Sequence, residues 1–166
     1  MRLYADVDGF AMRLKAQSAP LKLKRMNLFS GIPLFIIFVG LSVLHVYWAF
    51  GGRWGSESVL PTKDMNTVRP MPGALPTLIV AAGLLLFACM VFARMASIRL
   101  PVLSDVFLSC SMWLIFSIFL LRAIGDFRYF GLFKRVRHTK FGINDTRFFT
   151  PLCLLIAVLA LLLGLQ

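Results

Sequence analysis

The stretch RAIGDFRYFGLFKRVRHTKFGINDTRFFTPL, from Arg122 to Leu152, separates the last two hydrophobic runs of the chain. It contains seven Lys and Arg side chains against two carboxylates, Asp126 and Asp145, and aromatic residues stand between these charges. A segment that mixes rings and cations in this way is typical of chain lying along the headgroup layer of a bilayer. The stretch therefore predicts an amphipathic interfacial segment between two membrane-spanning helices.

The composition supports a membrane protein. Of the 166 residues, 59% are hydrophobic, which exceeds the roughly 45–50% apolar share of soluble domains. The mean hydropathy is +0.82 and the formal net charge is +11. Because the cations flank apolar runs, anionic lipid headgroups are nearer counter-charges than nucleic acid. We therefore expect membrane lipids as partners and no nucleic acid.

Four hydrophobic runs are long enough to predict an all-α integral membrane protein with four transmembrane helices in one domain, 27–166. Thr150 is predicted as the N-cap of the fourth helix, with Pro151 as its first helical residue. Residues 1–26 are either an amphipathic interfacial extension, a mobile one, or a segment upstream of a start at Met26. The predicted spans are about 32–50, 74–95, 102–124 and 150–165.

An even number of spans places the first and third connections on the same side of the membrane, whichever way the protein is inserted. Lys and Arg number eight on the side of the N-terminus and ten on the side of these connections. If translation begins at Met26, the comparison becomes two against ten. The positive-inside rule then favours a cytoplasmic location for the first and third connections.

The first span ends in an unusual stretch, HVYWAFGGRWG (His45–Gly55). Trp48 and Trp54 are suited to the aromatic belt of a membrane interface. His45 lies inside the span, where an ionisable group is a functional hypothesis by default. The alternative is a neutral histidine that hydrogen-bonds a serine or a carbonyl of another helix.

The carboxylates of the opening stretch have cationic neighbours. Asp126 lies near Arg122 and Arg128, and Asp145 is followed by Arg147. Such neighbours predict ion pairs that fix a loop, while an acid–base pair of carboxylates remains the alternative. The cations Arg128, Lys134, Arg135 and Arg137 are expected to hold the segment against an anionic surface.

The chain resembles a family of small bacterial multi-pass membrane proteins catalogued as domain of unknown function 3995. The marks of the resemblance are H-x-x-W-x-x-G-G-x-W-G from His45, G-D-F-R-Y-x-G from Gly125, and D-x-x-x-x-x-P-L from Asp145. It covers about Leu41 to Leu155. It implies four helices in the bacterial inner (cytoplasmic) membrane, and it assigns no catalytic residue.

Two classes of function follow from these patterns. The first is a non-enzymatic protein that binds lipid headgroups, a small amphipathic ligand or a protein partner at the face of the first and third connections; a homo-oligomer is also open. The second is a membrane-embedded enzyme or redox protein that acts on a lipid-soluble substrate through His45, oriented by Asp126 or Asp145. The candidate ligand-binding residues are His45, Trp48, Trp54, Arg122, Asp126, Arg128, Phe130, Arg135, Arg137 and Asp145.

No cofactor is predicted beyond one open alternative, a haem held axially by His45 and His138. No metal site is predicted, because the three cysteines do not have the spacing of a metal or redox motif. Transport is a third possibility, although four helices enclose little space unless the protein oligomerises.

Overall fold

The computed structural model describes residues 27–55, 72–96, 104–125, 131–134 and 139–166. Three long helices come first: α1 (Asn27–Ala49), α2 (Ala74–Met95) and α3 (Asp105–Ile124). The fourth helical segment consists of a short α4 (Lys140–Asn144), a π-turn (Asp145–Phe149) and α5 (Thr150–Gly164). No strand occurs in these ranges. The prediction of an all-α protein with four transmembrane helices is confirmed.

The interior is formed by one apolar face from each of the four helical segments. Phe38 of α1 is fully buried, and its ring lies 5.6 Å from that of Phe87 on α2 and 5.5 Å from that of Phe119 on α3. Between α1 and α2, the buried Ser42 hydroxyl donates a hydrogen bond of 2.8 Å to the Ala81 carbonyl. The buried core consists of Leu34, Phe38, Leu84, Ala88, Val91, Met112, Ile115, Ile156, Leu159, Ala160 and Leu163.

The outward faces of the helices are apolar as well. Large side chains such as Ile36, Ile79 and Leu114 stand exposed along the middle of their helices. A helix that is hydrophobic on every side needs an apolar surrounding. Since all four helical segments are long enough to cross a bilayer, lipid satisfies that need. These are the helices of a multi-pass membrane protein.

Consecutive helices run in opposite directions. Near one end of the bundle, Gly31 at the start of α1 packs against Met95 at the end of α2, and Arg94 approaches Asp105, the first residue of α3, at 4.0 Å. At the other end, Arg122 in the last turn of α3 meets Asp145 in the fourth segment. This second end, where α1 and α3 finish and α2 and α4 begin, is called the loop-rich end below.

Three helix starts differ from the sequence prediction, and the third helix begins at Asp105 rather than near residue 102. The chain is already helical at Asn27, the first residue of α1 that the structure describes, so this helix starts before residue 32. The prediction of Thr150 as an N-cap is wrong, because the chain is already helical from Lys140 and the Thr150 backbone has αR dihedral angles. The cap of the fourth segment is Thr139, whose hydroxyl accepts a 3.0 Å hydrogen bond from the Gly142 amide. The fourth span is therefore Phe141–Gly164 and not a short helix of sixteen residues.

Candidate functional site

A buried carboxylate lies at the centre of the loop-rich end. The Asp145 side chain is fully buried, and its Oδ2 accepts hydrogen bonds from Lys134 Nζ at 2.7 Å and from the Gly131 amide at 2.9 Å. Thr150 Oγ1 donates to the same oxygen at 3.1 Å, and Arg122 Nη2 donates to Oδ1 at 3.3 Å. We call these five residues the Asp145 cluster. It connects the end of α3, the third connection and the fourth helical segment.

The π-turn determines which side chains of this segment face inward. It begins at Asp145, whose carboxylate is inside, while Thr146, Arg147 and Phe148 are exposed. A π-turn holds an extra residue, which changes the direction of the side chains that follow it. The Thr146 hydroxyl donates to the Gly142 carbonyl at 3.1 Å and helps to hold this turn. The turn therefore combines a buried anion with an exposed cation and an exposed ring.

A glycine allows the third connection to approach α3. Gly131 has φ +83°, and a Cβ built on it would lie 2.5 Å from the carbonyl oxygens of Ala123 and Ile124. The following amide, that of Leu132, donates to the Ala123 carbonyl at 2.9 Å. Only glycine satisfies both the positive φ and the close contact. As a result the Gly131 amide can reach Asp145.

The Asp145 cluster is suited to fixing structure. Three of its four donors converge on one carboxylate oxygen, and two of the four, Lys134 and Arg122, are cationic. Such saturation compensates a buried charge for its lost hydration. A general base needs a lone pair that can reach substrate, and Asp145 is 0% exposed. The prediction that carboxylates of this stretch form ion pairs is confirmed for Asp145, but with Arg122 and Lys134 as partners.

Two cations therefore have roles that the sequence did not predict. Lys134 was expected on the membrane surface, and that prediction is wrong because its side chain is 2% exposed and bound to Asp145. Arg147 was expected to pair with Asp145, and instead it is exposed with no hydrogen bond or ion pair within the described part of the chain. The positions of the seven cations in the sequence do not show which of their side chains is buried against Asp145.

The second feature of the loop-rich end is the aromatic cap, residues His45–Gly55. The chain turns back after α1 and is held there by hydrogen bonds between residues of the cap. Trp48 Nε1 donates to the Trp54 carbonyl at 2.9 Å, the Trp54 amide donates to the Tyr47 hydroxyl at 3.4 Å, and the Gly52 amide donates to the Tyr47 carbonyl at 3.0 Å. Gly51 has φ +87° and reverses the chain.

His45 belongs to this cap. Its Nδ1 lies 2.7 Å from the Leu41 carbonyl one turn earlier, and its ring packs edge-on against Trp48 at 5.1 Å. Because a carbonyl oxygen only accepts, Nδ1 carries the proton, and in the neutral ring Nε2 keeps a free lone pair. The partner is the carbonyl of its own helix and not, as expected, a group of another helix. His45, Trp48 and Trp54 are thus brought together.

Within the described part of the chain, His45 and Asp145 make no hydrogen bond or ring contact with each other. The hydrogen bonds and ring contacts of His45 lie within α1 and the aromatic cap, and those of Asp145 lie within its cluster. Arg122 belongs to the Asp145 cluster. The other candidates, Asp126, Arg128, Phe130, Arg135 and Arg137, lie outside the described residues, as do His138 and the extension 1–26.

A metal centre finds no support in the described ranges, where no group of three or more His, Cys, Asp and Glu side chains converges. The haem alternative depends on His138 as well as His45, and therefore has one ligand outside the described residues. It stays a prediction.

Comparison with known proteins identifies the family to which the chain belongs. A sequence model of the family described as "Protein of unknown function (DUF3995)" matches residues 38–160. This match includes both the aromatic cap and the Asp145 cluster. No curated protein matches the chain, and no solved structure matches it. The resemblance predicted from the sequence is confirmed.

Proposed function

The chain belongs to the DUF3995 family of proteins of unknown function, and from that premise we propose that its loop-rich end binds the headgroups of anionic membrane lipids without catalysing a reaction. The observation that carries the proposal is the unequal exposure of charge in the fourth segment. Asp145 is buried within its cluster, whereas Arg147 stands outside beside the exposed ring of Phe148.

Several features of the loop-rich end support a headgroup surface. Leu132 and Phe133 of the third connection are 51% and 60% exposed, close in sequence to a buried lysine. Exposed rings beside exposed cations suit the boundary between hydrocarbon and headgroups. The whole stretch 122–147 carries seven Lys and Arg against two Asp. Two of these cations, Arg122 and Lys134, neutralise Asp145 internally, whereas Arg147 is exposed.

The phosphate contacts are assigned as follows. Arg122 was among the arginines expected to bind phosphate, but it pairs with Asp145. We assign its role in phosphate binding to the exposed Arg147 instead. Arg128, Arg135 and Arg137 keep the role that their sequence predicts, with Trp48, Trp54 and Phe130 as apolar contacts for the lipid. Each cation near an anionic surface contributes about 1 kcal/mol, so four arginines give a clear preference for anionic lipid. The bacterial inner membrane supplies such lipid, in keeping with the predicted location.

Native mass spectrometry of the purified full chain tests this proposal. The protein is equilibrated with equal amounts of phosphatidylglycerol and phosphatidylcholine, and the ratio of retained lipids is measured. We expect the wild type to prefer phosphatidylglycerol. Replacement of Arg128, Arg135, Arg137 and Arg147 by Gln should reduce that preference at least about tenfold, and added salt should weaken it in the wild type.

A matched control keeps the net charge equal. Replacing Lys22, Lys24, Arg25 and Arg99 by Gln removes four cations that the sequence predicts on the opposite side of the membrane. This variant should retain most of the preference for phosphatidylglycerol. The proposal fails if both variants lose it equally, or if the first variant loses none. Loss of a co-purifying protein or of a dimer, with lipid retention unchanged, would favour a protein partner or homo-oligomer instead.

A second candidate function follows from one observation on His45. The bond from Nδ1 to the Leu41 carbonyl fixes the ring, so that Nε2 of the neutral imidazole would be available as a base or as a ligand to haem iron. An enzyme or redox protein acting through His45 on a lipid-soluble substrate would use this nitrogen. Absorbance of the purified protein after haem loading tests the redox form: a Soret band that His45→Gln abolishes supports it, and its absence in the wild type eliminates it.

A further inference from the structure

An open apolar groove runs along the outer side of α1 beneath the aromatic cap. It has a volume of about 530 Å³ and is lined by Gly40, Val43, Leu44, Tyr47 and Trp54. The four residues from α1 are spaced as one face of a helix. Gly40 forms a notch in this face, because no atom lies within 4 Å of a Cβ built there. Trp54, folded back by the cap, covers the upper end.

The position and length of the groove match one leaflet of a bilayer. Gly40 lies nine residues before Ala49, the last residue of α1. At the helical rise this is about 13 Å, close to half of a hydrocarbon core that is about 30 Å thick. The groove therefore extends from near the middle of the membrane to the interface. A single hydrocarbon chain of a lipid covers the same depth.

Two hydrogen-bond donors lie at the upper end of the groove. The Tyr47 hydroxyl accepts from the Trp54 amide, which leaves its own proton to donate. The indole N–H of Trp54 is a second donor, on a side chain that is 74% exposed. Within the described part of the chain neither donor has an acceptor. An apolar groove with donors at its interfacial end is complementary to an acyl chain that ends in an ester carbonyl.

From this complementarity we propose that the groove binds one acyl chain of a glycerophospholipid, with Tyr47 and Trp54 donating to its ester oxygens. The site goes beyond the headgroup surface proposed above, since it recognises the chain and the ester and not the charge. The notch at Gly40 admits the chain against the helix. The turn of the cap through Gly51 and Gly52 places Trp54 over it.

Photolabelling in uncharged vesicles tests this site. The full chain is reconstituted in phosphatidylcholine that contains a small fraction of phosphatidylcholine with a diazirine on one acyl chain. After irradiation, labelling of the segment 40–54 is measured by peptide mass spectrometry. Gly40→Leu fills the notch with a better helix former, and labelling of this segment should fall about tenfold, as expected for the loss of about two methylene contacts. Gly83→Leu is the matched control, because Gly83 on α2 also has open space around it, and labelling should stay at the wild-type level.

The hydrogen-bond donors at the upper end of the groove are tested separately. Trp54→Phe keeps an aromatic ring and removes the indole N–H, so labelling should fall about threefold, the effect of one lost hydrogen bond. Equal labelling in the wild type and in Gly40→Leu would overturn the proposal, because lipid would then contact this face only as solvent. A dimer in the wild type that Gly40→Leu dissociates would also overturn it and assign the groove to a second copy. Since these vesicles carry no net charge, the result is independent of the arginines in the headgroup surface.

Discussion

The Asp145 cluster and the aromatic cap lie at the same end of the bundle. They differ in the interactions that fix the chain there. The cluster uses a fully buried carboxylate with two cations, and the cap uses hydrogen bonds between exposed groups. A buried ion that loses one partner is left uncompensated, whereas an exposed group that loses a partner turns to water. The difference suggests that the cluster contributes stability and that the cap is free to contact ligands.

The largest expected effect is that of Asp145→Asn. The amide keeps the shape and can still accept from Gly131 and Thr150, but Lys134 then lies buried beside a neutral partner. We expect a loss of about 3–5 kcal/mol in the free energy of unfolding. Unfolding by sodium dodecyl sulphate in mixed micelles measures it.

Asp105→Asn is the control for this substitution. The Asp105 side chain is 75% exposed and lies 4.0 Å from Arg94, so its loss should cost under about 1 kcal/mol. If both asparagine variants unfold at the same denaturant concentration, the buried carboxylate does not stabilise the loop-rich end.

An intermediate effect is expected at the glycines with positive φ. Gly131→Ala combines that strained φ with a clash against two carbonyl oxygens, and should cost about 2–3 kcal/mol. Gly55→Ala in the cap has a similar φ of +75° but open space around its Cβ. It should cost only about 1 kcal/mol. The same unfolding titration compares the two variants, and equal losses would contradict the tight packing of the third connection on α3.

The smallest effect is expected for Trp48→Phe, which removes one hydrogen bond from the cap. Because the cap is exposed, water replaces the lost donor at the Trp54 carbonyl, and the free energy of unfolding should fall by about 0.5 kcal/mol. A loss as large as that of Asp145→Asn would show that the cap, too, stabilises the fold.

Much of the fold was predictable because the bilayer imposes the lengths of the helices. The second span, 74–95, matches α2 at both ends. The prediction failed at Thr150, because a threonine before a proline has the pattern of a helix start. Here its hydroxyl instead donates to a carboxylate five residues earlier in a continuing helix.

The candidate site was predictable in part. The sequence indicated that Asp145 would pair with cations and that Trp48 and Trp54 belong to one interfacial stretch. It could not indicate that Lys134 turns inward, because this depends on the close approach that Gly131 makes to α3. Arg147 was missed as an exposed cation because the π-turn, which orients it, leaves no pattern in the sequence.

The most direct test of Asp145 as the structural anchor is a double-mutant cycle of Asp145→Asn and Lys134→Met in the free energy of unfolding. Each single substitution leaves the remaining partner buried and should cost about 3 kcal/mol or more. The double variant removes both charges and should be at least about 2 kcal/mol more stable than the sum of the single losses predicts. Additive losses would contradict the buried pair as the anchor of the loop-rich end.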